Sequence, residues 1–214
     1  MELAFLAQQT LDGKTIGRAL FNAQVKRHMR GLSGNTLDLA SGGSAGYLRY
    51  AQRGLHVLRT DVHDGDGIDM VVDIDQRLPF HDGEFDHVLL FNALYAIKDP
   101  NRLLKEMRRV VRIGGSVLVA SPFLSNEMPE PHDYRRLTSE GLRELFDEVG
   151  YLTIQIIPYG ERFSVMANLL HPFLMFNIVR LPIYLLAYVL DACIPEKTRT
   201  LHPAPIGYFC ILKK

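Results

Sequence analysis

Short apolar runs along this chain alternate with stretches whose apolar positions recur every three or four residues. That is the pattern of strands interleaved with amphipathic helices, and it predicts a mostly parallel sheet with helices on both faces. Residues 15–30 carry helical spacing and stop at Gly31. Residues 35–40 (NTLDLA) read as a first strand, followed by the glycine-rich SGGSAG and a helix through about Gln52. Residues 56–60 and 69–74 read as the second and third strands. Phe85–Phe91 (FDHVLLF) is almost continuously apolar, which suits a central strand buried on both faces. A helix is expected over residues 100–111, with Asp99 as N-cap and Gly114-Gly115 as its stop. Residues 116–120 (SVLVA) form the fifth strand, and Thr138 caps a helix that ends at Gly150. Residues 151–157 and 206–212 complete a predicted set of seven strands.

Two segments depart from this rhythm. Only DVHDGDGID separates the second and third strands, whereas a crossover helix with its loops needs a dozen residues or more. A polar loop is expected there instead. Residues 163–194 (FSVMANLLHPFLMFNIVRLPIYLLAYVLDACI) carry a single charge, Arg180, between Phe163 and Leu190. Pro172 and Pro182 interrupt the run, and a spanning helix needs about twenty unbroken apolar residues. Two short apolar helices are expected. They pack over the domain, meet a second copy as a homodimer face, or lie on a membrane surface as a peripheral contact.

Composition narrows the class. The 214 residues suit one domain, with 1–33 as an N-terminal helical region, 34–122 as a ligand-binding core, and 123–162 as a loop, helix and strand. The apolar insert 163–194 and a final strand within 195–214 follow. Lys plus Arg and Asp plus Glu number 24 each, so no global charge recruits nucleic acid. The local run Lys26-Arg27-His28-Met29-Arg30 reads as a solvated helix face. Two cysteines, Cys193 and Cys210, form no paired motif, which fits a reducing compartment and points to no metal. The opening MELAFLAQQTLDGK lacks a basic leader region, so a cytoplasmic location is expected.

The candidate chemistry begins at Asp38-Leu39-Ala40-Ser41-Gly42-Gly43-Ser44-Ala45-Gly46. A strand ending in an acid and leading into glycines lets a backbone approach a nucleotide-like ligand closely. The same string also serves as a plain turn. Asp61, at the end of the next strand, stands where doubly wound folds place a ribose-binding acid, although a turn aspartate fits that position too.

Residues 73–122 sharpen the reading. They contain Leu78-Pro79-Phe80, then Asp82-Gly83-Glu84-Phe85-Asp86, Glu106, Arg109-Val110 and Gly114-Gly115. This stretch resembles the class I S-adenosylmethionine-dependent methyltransferases of the small-molecule (type 11) kind, which have a Rossmann-like sheet with an antiparallel last strand. The resemblance implies S-adenosyl-L-methionine as cofactor. Asp38 and the backbone of Ala40, Ser41, Gly42 and Gly43 would hold its methionine portion, and Asp61 with Val62 its ribose. Asp73, Ile74 and Asp75 would border the adenine, with either acid near the exocyclic amine. Phe91 and Asn92 would lie beside the sulfonium. Ala40 and Ser44 replace two motif glycines, and Tyr95-Ala96 stand where members carry Glu-His. These departures leave room for a methyltransferase-like binding protein without catalysis.

The run PHDYRRLTSEGL (residues 131–142) resembles the segment after strand five in one branch of this family. His132 is the candidate general base, since histidine changes charge nearest neutral pH, or else it orders the loop with Asp133. Tyr95, Asp133, Tyr134 and Arg135 are the candidate substrate-side residues. The expected activity is methyl transfer to a small-molecule or lipid-like acceptor, at oxygen.

Overall fold

The structure is a computed structural model describing residues 3–43, 45–129 and 132–214. Ser44 and Pro131, named above, lie outside the described residues. Among the described residues, seven strands form one sheet in the order β3-β2-β1-β4-β5-β7-β6. The strands are β1 (Gly34–Leu39), β2 (Leu55–Asp61), β3 (Met70–Val71), β4 (Phe85–Phe91), β5 (Val111–Pro122), β6 (Thr153–Tyr159) and β7 (Gly207–Lys213). β1 to β5 pair in parallel, and β7 enters antiparallel between β5 and β6. The central β4 matches its predicted bounds, with Val88 to Leu90 fully buried.

Among the described residues, seven α-helices flank the sheet: α1 (Leu3–Leu11), α2 (Ile16–His28), α3 (Pro100–Val110), α4 (Ser139–Val149), α5 (Arg162–Leu169), α6 (Asn177–Cys193) and α7 (Glu196–Leu201). One face buries α3 and α4 through Leu103, Leu104, Met107, Leu142 and Phe146. The other buries α1, α2, α5 and α6 through Leu6, Ile16, Phe21, Val165 and Tyr184. Chain logic explains the well-placed ends. Asp99 accepts a bond from the Arg102 N–H at 3.1 Å, and Thr138 accepts one from the Gly141 N–H at 3.2 Å. Gly150 ends α4 in the left-handed conformation at φ 85°.

Several expectations are corrected. The expected helix after the glycine-rich run is a single 3-10 turn, Gly46–Tyr50. Tyr47 is drawn inward onto Asp38, and so short a segment opening on glycine does not sustain an α-helix. The third strand shrinks to Met70–Val71 at the sheet edge, reached through the predicted polar loop without a helix. α3 ends at Val110, and β5 starts at Val111, so the glycine pair is not a helix stop. A Cβ on Gly115 would lie 2.6 Å from the Asp86 carbonyl oxygen, so glycine here lets β5 run close beside β4. β6 starts two residues late because Tyr151 is buried, its hydroxyl donating to the Leu104 carbonyl at 3.1 Å.

The N-terminal region holds two helices rather than one. α1 is fixed by tertiary contacts, including an Asn22 to Gln9 hydrogen bond of 2.6 Å. In the apolar insert, Pro172 lies in a 3-10 turn (His171–Phe173), but Pro182 sits inside α6 and does not interrupt it. α5 and α6 are locked together by Asp191. Its buried carboxylate accepts the N–H groups of Glu161, Phe163 and Ser164 at 3.1, 2.8 and 3.2 Å. Among the described residues, no helix is long and apolar enough to cross a membrane.

Candidate functional site

The carboxyl ends of β1, β2 and β4 meet at one edge of the sheet, the customary ligand edge of open α/β folds. Two non-glycine residues there have left-handed backbones, Ala40 after β1 (φ 52°) and Asn92 after β4 (φ 54°). Such conformations cost about 1–3 kcal/mol and cluster at ligand-binding edges. Ala40 thus occupies a backbone position that suits the glycine it replaces.

The loop after Ala40 is pinned from β2. Arg59 donates to Ser41 Oγ at 2.9 Å and to the Gly42 carbonyl at 2.7 Å. Asp61 accepts the Gly42 N–H at 2.9 Å on one carboxylate oxygen and the His63 N–H at 3.2 Å on the other. An ionised carboxylate has about four acceptor positions, so each oxygen retains capacity for a ligand hydroxyl.

Asp38 lies beneath this loop and is fully buried. One oxygen accepts the Tyr47 hydroxyl; the other has no partner among the described residues. Burial pushes the carboxyl pKa up to about 6, against the opposing pull of Tyr47, Ser41 and Arg59. Burial and the neighbouring Asp38 also raise the Tyr47 phenol, which stays protonated as the donor.

Above the edge opens a cavity of about 660 Å³. Ala40, Asp61, Val62, His63, Asp73, Ile74, Asp75, Asn92, Ala93, Tyr95, Ala96, Ile97 and His132 line it. Nine candidate residues therefore converge on one space. Asp73 accepts the Asp75 N–H at 2.8 Å, and Asp75 lies 3.8 Å from Arg102. Ser41, Gly42 and Gly43 form the loop at its border. The Phe91 ring points away, into the core between Phe21, Tyr47 and Phe209.

The remaining candidates stitch a wall to the cavity. The Tyr134 N–H donates to the Tyr95 carbonyl at 3.0 Å, and Arg135 donates to the Lys98 carbonyl at 2.9 Å. Asp133 pairs with Arg136, which holds its carboxyl below the usual range, and it also accepts the Met128 N–H. The Arg136 guanidinium in turn lies 5.1 Å from the Tyr95 ring centre. Asp133 and Arg135 thus organise the loop that presents His132, whose ring stacks obliquely on Tyr134 at 5.1 Å.

Residues 37–119 match the family model of the methyltransferase domain. A demethylmenaquinone methyltransferase from Renibacterium salmoninarum is 33% identical over 93 residues, 39% of this chain and 39% of that protein. The chain matches under half the length of the curated relatives, 39% and 49% for the first two. Among solved structures, an S-adenosylmethionine-dependent methyltransferase from Archaeoglobus fulgidus superposes with a TM-score of 0.61, covering both chains fully at 17% identity. The cyclase SpnF superposes at 0.56, covering 91% of this chain and 80% of its own, at 18% identity. Likeness of fold therefore does not fix the chemistry.

Within the matched stretch, the residues that carry the family pattern do not face the cavity. Glu106 on α3 accepts the Leu78 N–H at 3.0 Å and pairs with Arg109 at 2.7 Å. Arg109 donates to the carbonyls of Leu78 and Phe80 at 3.0 and 2.8 Å, and reaches Asp82 at 2.8 Å. This clamp holds the 78–82 turn, and so fixes the path from the Asp73–Asp75 wall into β4. Tyr47, Arg59, His63 and Arg136 were not singled out from the sequence. An arginine inside a strand that follows a glycine-rich loop is a usable signal for Arg59. No local pattern marks the others.

Proposed function

We propose that the chain transfers a methyl group from S-adenosyl-L-methionine to a small-molecule or lipid-like acceptor, at oxygen. The observation that carries this reading is the cavity over the ends of β1, β2 and β4, walled by Asp61, Asp73, Asp75 and Asn92 beside the loop at Asp38. The family match and the curated relative support methyl transfer as the reaction. The residues fit the cofactor. One Asp38 oxygen is a buried acceptor lacking a donor among the described residues, which suits a cationic amino group. A Cβ at Gly42 or Gly43 meets nothing within 4 Å, so the loop borders open space.

In this reading Asp38 and residues 40–43 hold the methionine portion, and Asp61 with Val62 the ribose. Asp73, Ile74 and Asp75 border the adenine. Asn92 faces the reacting end, with Phe91 supporting it from the core side. The bound cofactor supplies an electrophilic methyl group on a positively charged sulfur. Positioning does most of the remaining chemistry. Tyr95 and Tyr134 flank the acceptor, and His132 takes the acceptor hydroxyl proton on a ring nitrogen.

Calorimetric titration with S-adenosylmethionine tests the reading. Wild type should bind, and Asp61→Ala should bind about 2–4 kcal/mol more weakly. Equal affinity in the two folded proteins would remove the ribose assignment. Incorporation of labelled methyl into small-molecule and lipid fractions then tests His132, whose replacement by Ala should slow turnover about 100-fold at unchanged cofactor affinity.

A further inference from the structure

The apolar insert and α1 together build a surface that the methyl-transfer reading leaves unused. From the connection after α5 into the first turn of α6 the chain exposes Phe173 (80%), Met175 (75%), Phe176 (66%) and Ile178 (81%) in close succession. Soluble surfaces seldom cluster large apolar side chains this densely, and such patches mark a partner or a membrane. The cluster continues along α6. Leu186 and Val189 face Leu3, Ala4 and Ala7 of α1 across an open groove lined by no polar side chain. Asn177 donates to the Leu11 carbonyl at 3.1 Å, which ties the tip to the end of α1.

Charge identifies the occupant. Residues 163–190 contain no acid. Their one cation, Arg180, turns back onto the Leu174 carbonyl of the same tip. Lys26, Arg27 and Arg30 project from the last turn of α2 and beyond into a cleft shared with Phe5 of α1 and Tyr188 of α6. The Lys26 ammonium lies 4.8 Å from the Phe5 ring centre. None of the three makes an ion pair among the described residues. The run that read as a solvated helix face thus borders an apolar platform. A second copy laid on this face offers these cations no carboxylate from residues 163–190. Anionic headgroups satisfy them while acyl chains receive the tip.

The placement also joins this surface to the cavity edge. Asn168, at the end of α5, accepts the Gly17 N–H at 3.2 Å. A Cβ on Gly17 would lie 3.3 Å from Ile206, whose carbonyl accepts the Phe123 N–H where β5 ends. The tip therefore begins at the sheet edge over which the cavity opens.

We infer that the α1–α6 face is an interfacial docking surface for an anionic lipid bilayer, with residues 173–178 inserting and Lys26, Arg27 and Arg30 engaging headgroups. Insertion supplies the apolar contribution and the cations the lipid selectivity. The docked geometry sets the cavity edge beside the bilayer, where a lipid-like acceptor resides.

The chain has no tryptophan, so Phe173→Trp installs a single reporter. With phosphatidylcholine vesicles carrying about a third phosphatidylglycerol, the full chain should sediment and the reporter's emission should shift blue. Pure phosphatidylcholine should bind it roughly tenfold or more weakly. Arg27→Glu with Arg30→Glu should erase that preference, and Phe173→Ser with Phe176→Ser should lower binding to both vesicles. Circular dichroism confirms that each variant is folded. A monomer that stays in the supernatant with an unshifted reporter overturns the inference. So does a dimer whose reporter is already blue-shifted without vesicles, because a second copy then covers the face. Cofactor titration is read separately, so vesicle binding and methyl transfer fail independently.

Discussion

The clamp at Glu106 and Arg109 stands where β4 and β5 begin and the cradle at Asp38 and Ala40 where β1 ends, at opposite edges of the sheet, and their energetics are opposed. In the clamp, each charged group has a close partner, and backbone carbonyls take the remaining guanidinium donors. The cradle contains a buried carboxylate oxygen without a donor among the described residues, a carboxyl pushed up to about 6, and an alanine in the left-handed region. The clamp is built for stability in the free protein. The cradle is costly when empty, and under the proposed function a ligand that brings a cation and hydroxyls would relieve that cost.

Breaking the clamp should give the largest change in stability. Arg109→Ala leaves Glu106 without its cation and the carbonyls of Leu78 and Phe80 without their side-chain donor. It should destabilise the fold by about 2–3 kcal/mol in a urea melt. A midpoint unmoved at constant slope would place the strength of this wall elsewhere.

Relieving the cradle should act in the opposite direction. The Asp38 carboxyl is raised above its unfolded value near 3.8, so its stabilising contribution is fully present below about pH 4. That contribution is lost as pH rises through about 6. Asp38→Asn should therefore stabilise the free protein by about 1–3 kcal/mol at pH 7, and have little effect at pH 4. It should also weaken cofactor binding. Melting curves at the two pH values decide the sign, and a variant less stable at pH 7 contradicts the comparison.

The smallest expected effect is at Ala40. Glycine adopts φ 52° without a Cβ clash, so Ala40→Gly should raise stability by about 0.5–1 kcal/mol despite the looser unfolded chain. A lower melting temperature would mean that the loop, not Ala40, absorbs the strain.

What the sequence revealed depended on how local its causes were. β4 was legible because one apolar run needs burial on both faces, and the ends of α3 and α4 because Asp99, Thr138 and Gly150 act within a turn. Asp38 and Asp61 were legible as acids closing consecutive strands. The misses depended on distant partners. α1 exists because Gln9 meets Asn22 and Leu6 is buried. Gly114-Gly115 resembled a helix stop, since glycine ends helices, but Gly115 answers to the Asp86 carbonyl on the adjacent strand. Asp133 carried the family pattern, yet its carboxylate is turned to Arg136. Tyr47 was missed because its target is a buried acid reached only when the loop folds back.

The place of β7 has a consequence for the order of assembly. β6 precedes β7 in the chain, yet it joins the sheet only through β7. Residues 34–122 can zip their parallel strands as soon as they exist. The segment from α4 to α7 has no strand to pair with until residues 207–213 dock against β5. During synthesis, therefore, the apolar tip and its helices leave the ribosome ahead of the strand that anchors them. For that interval they are a client for chaperones.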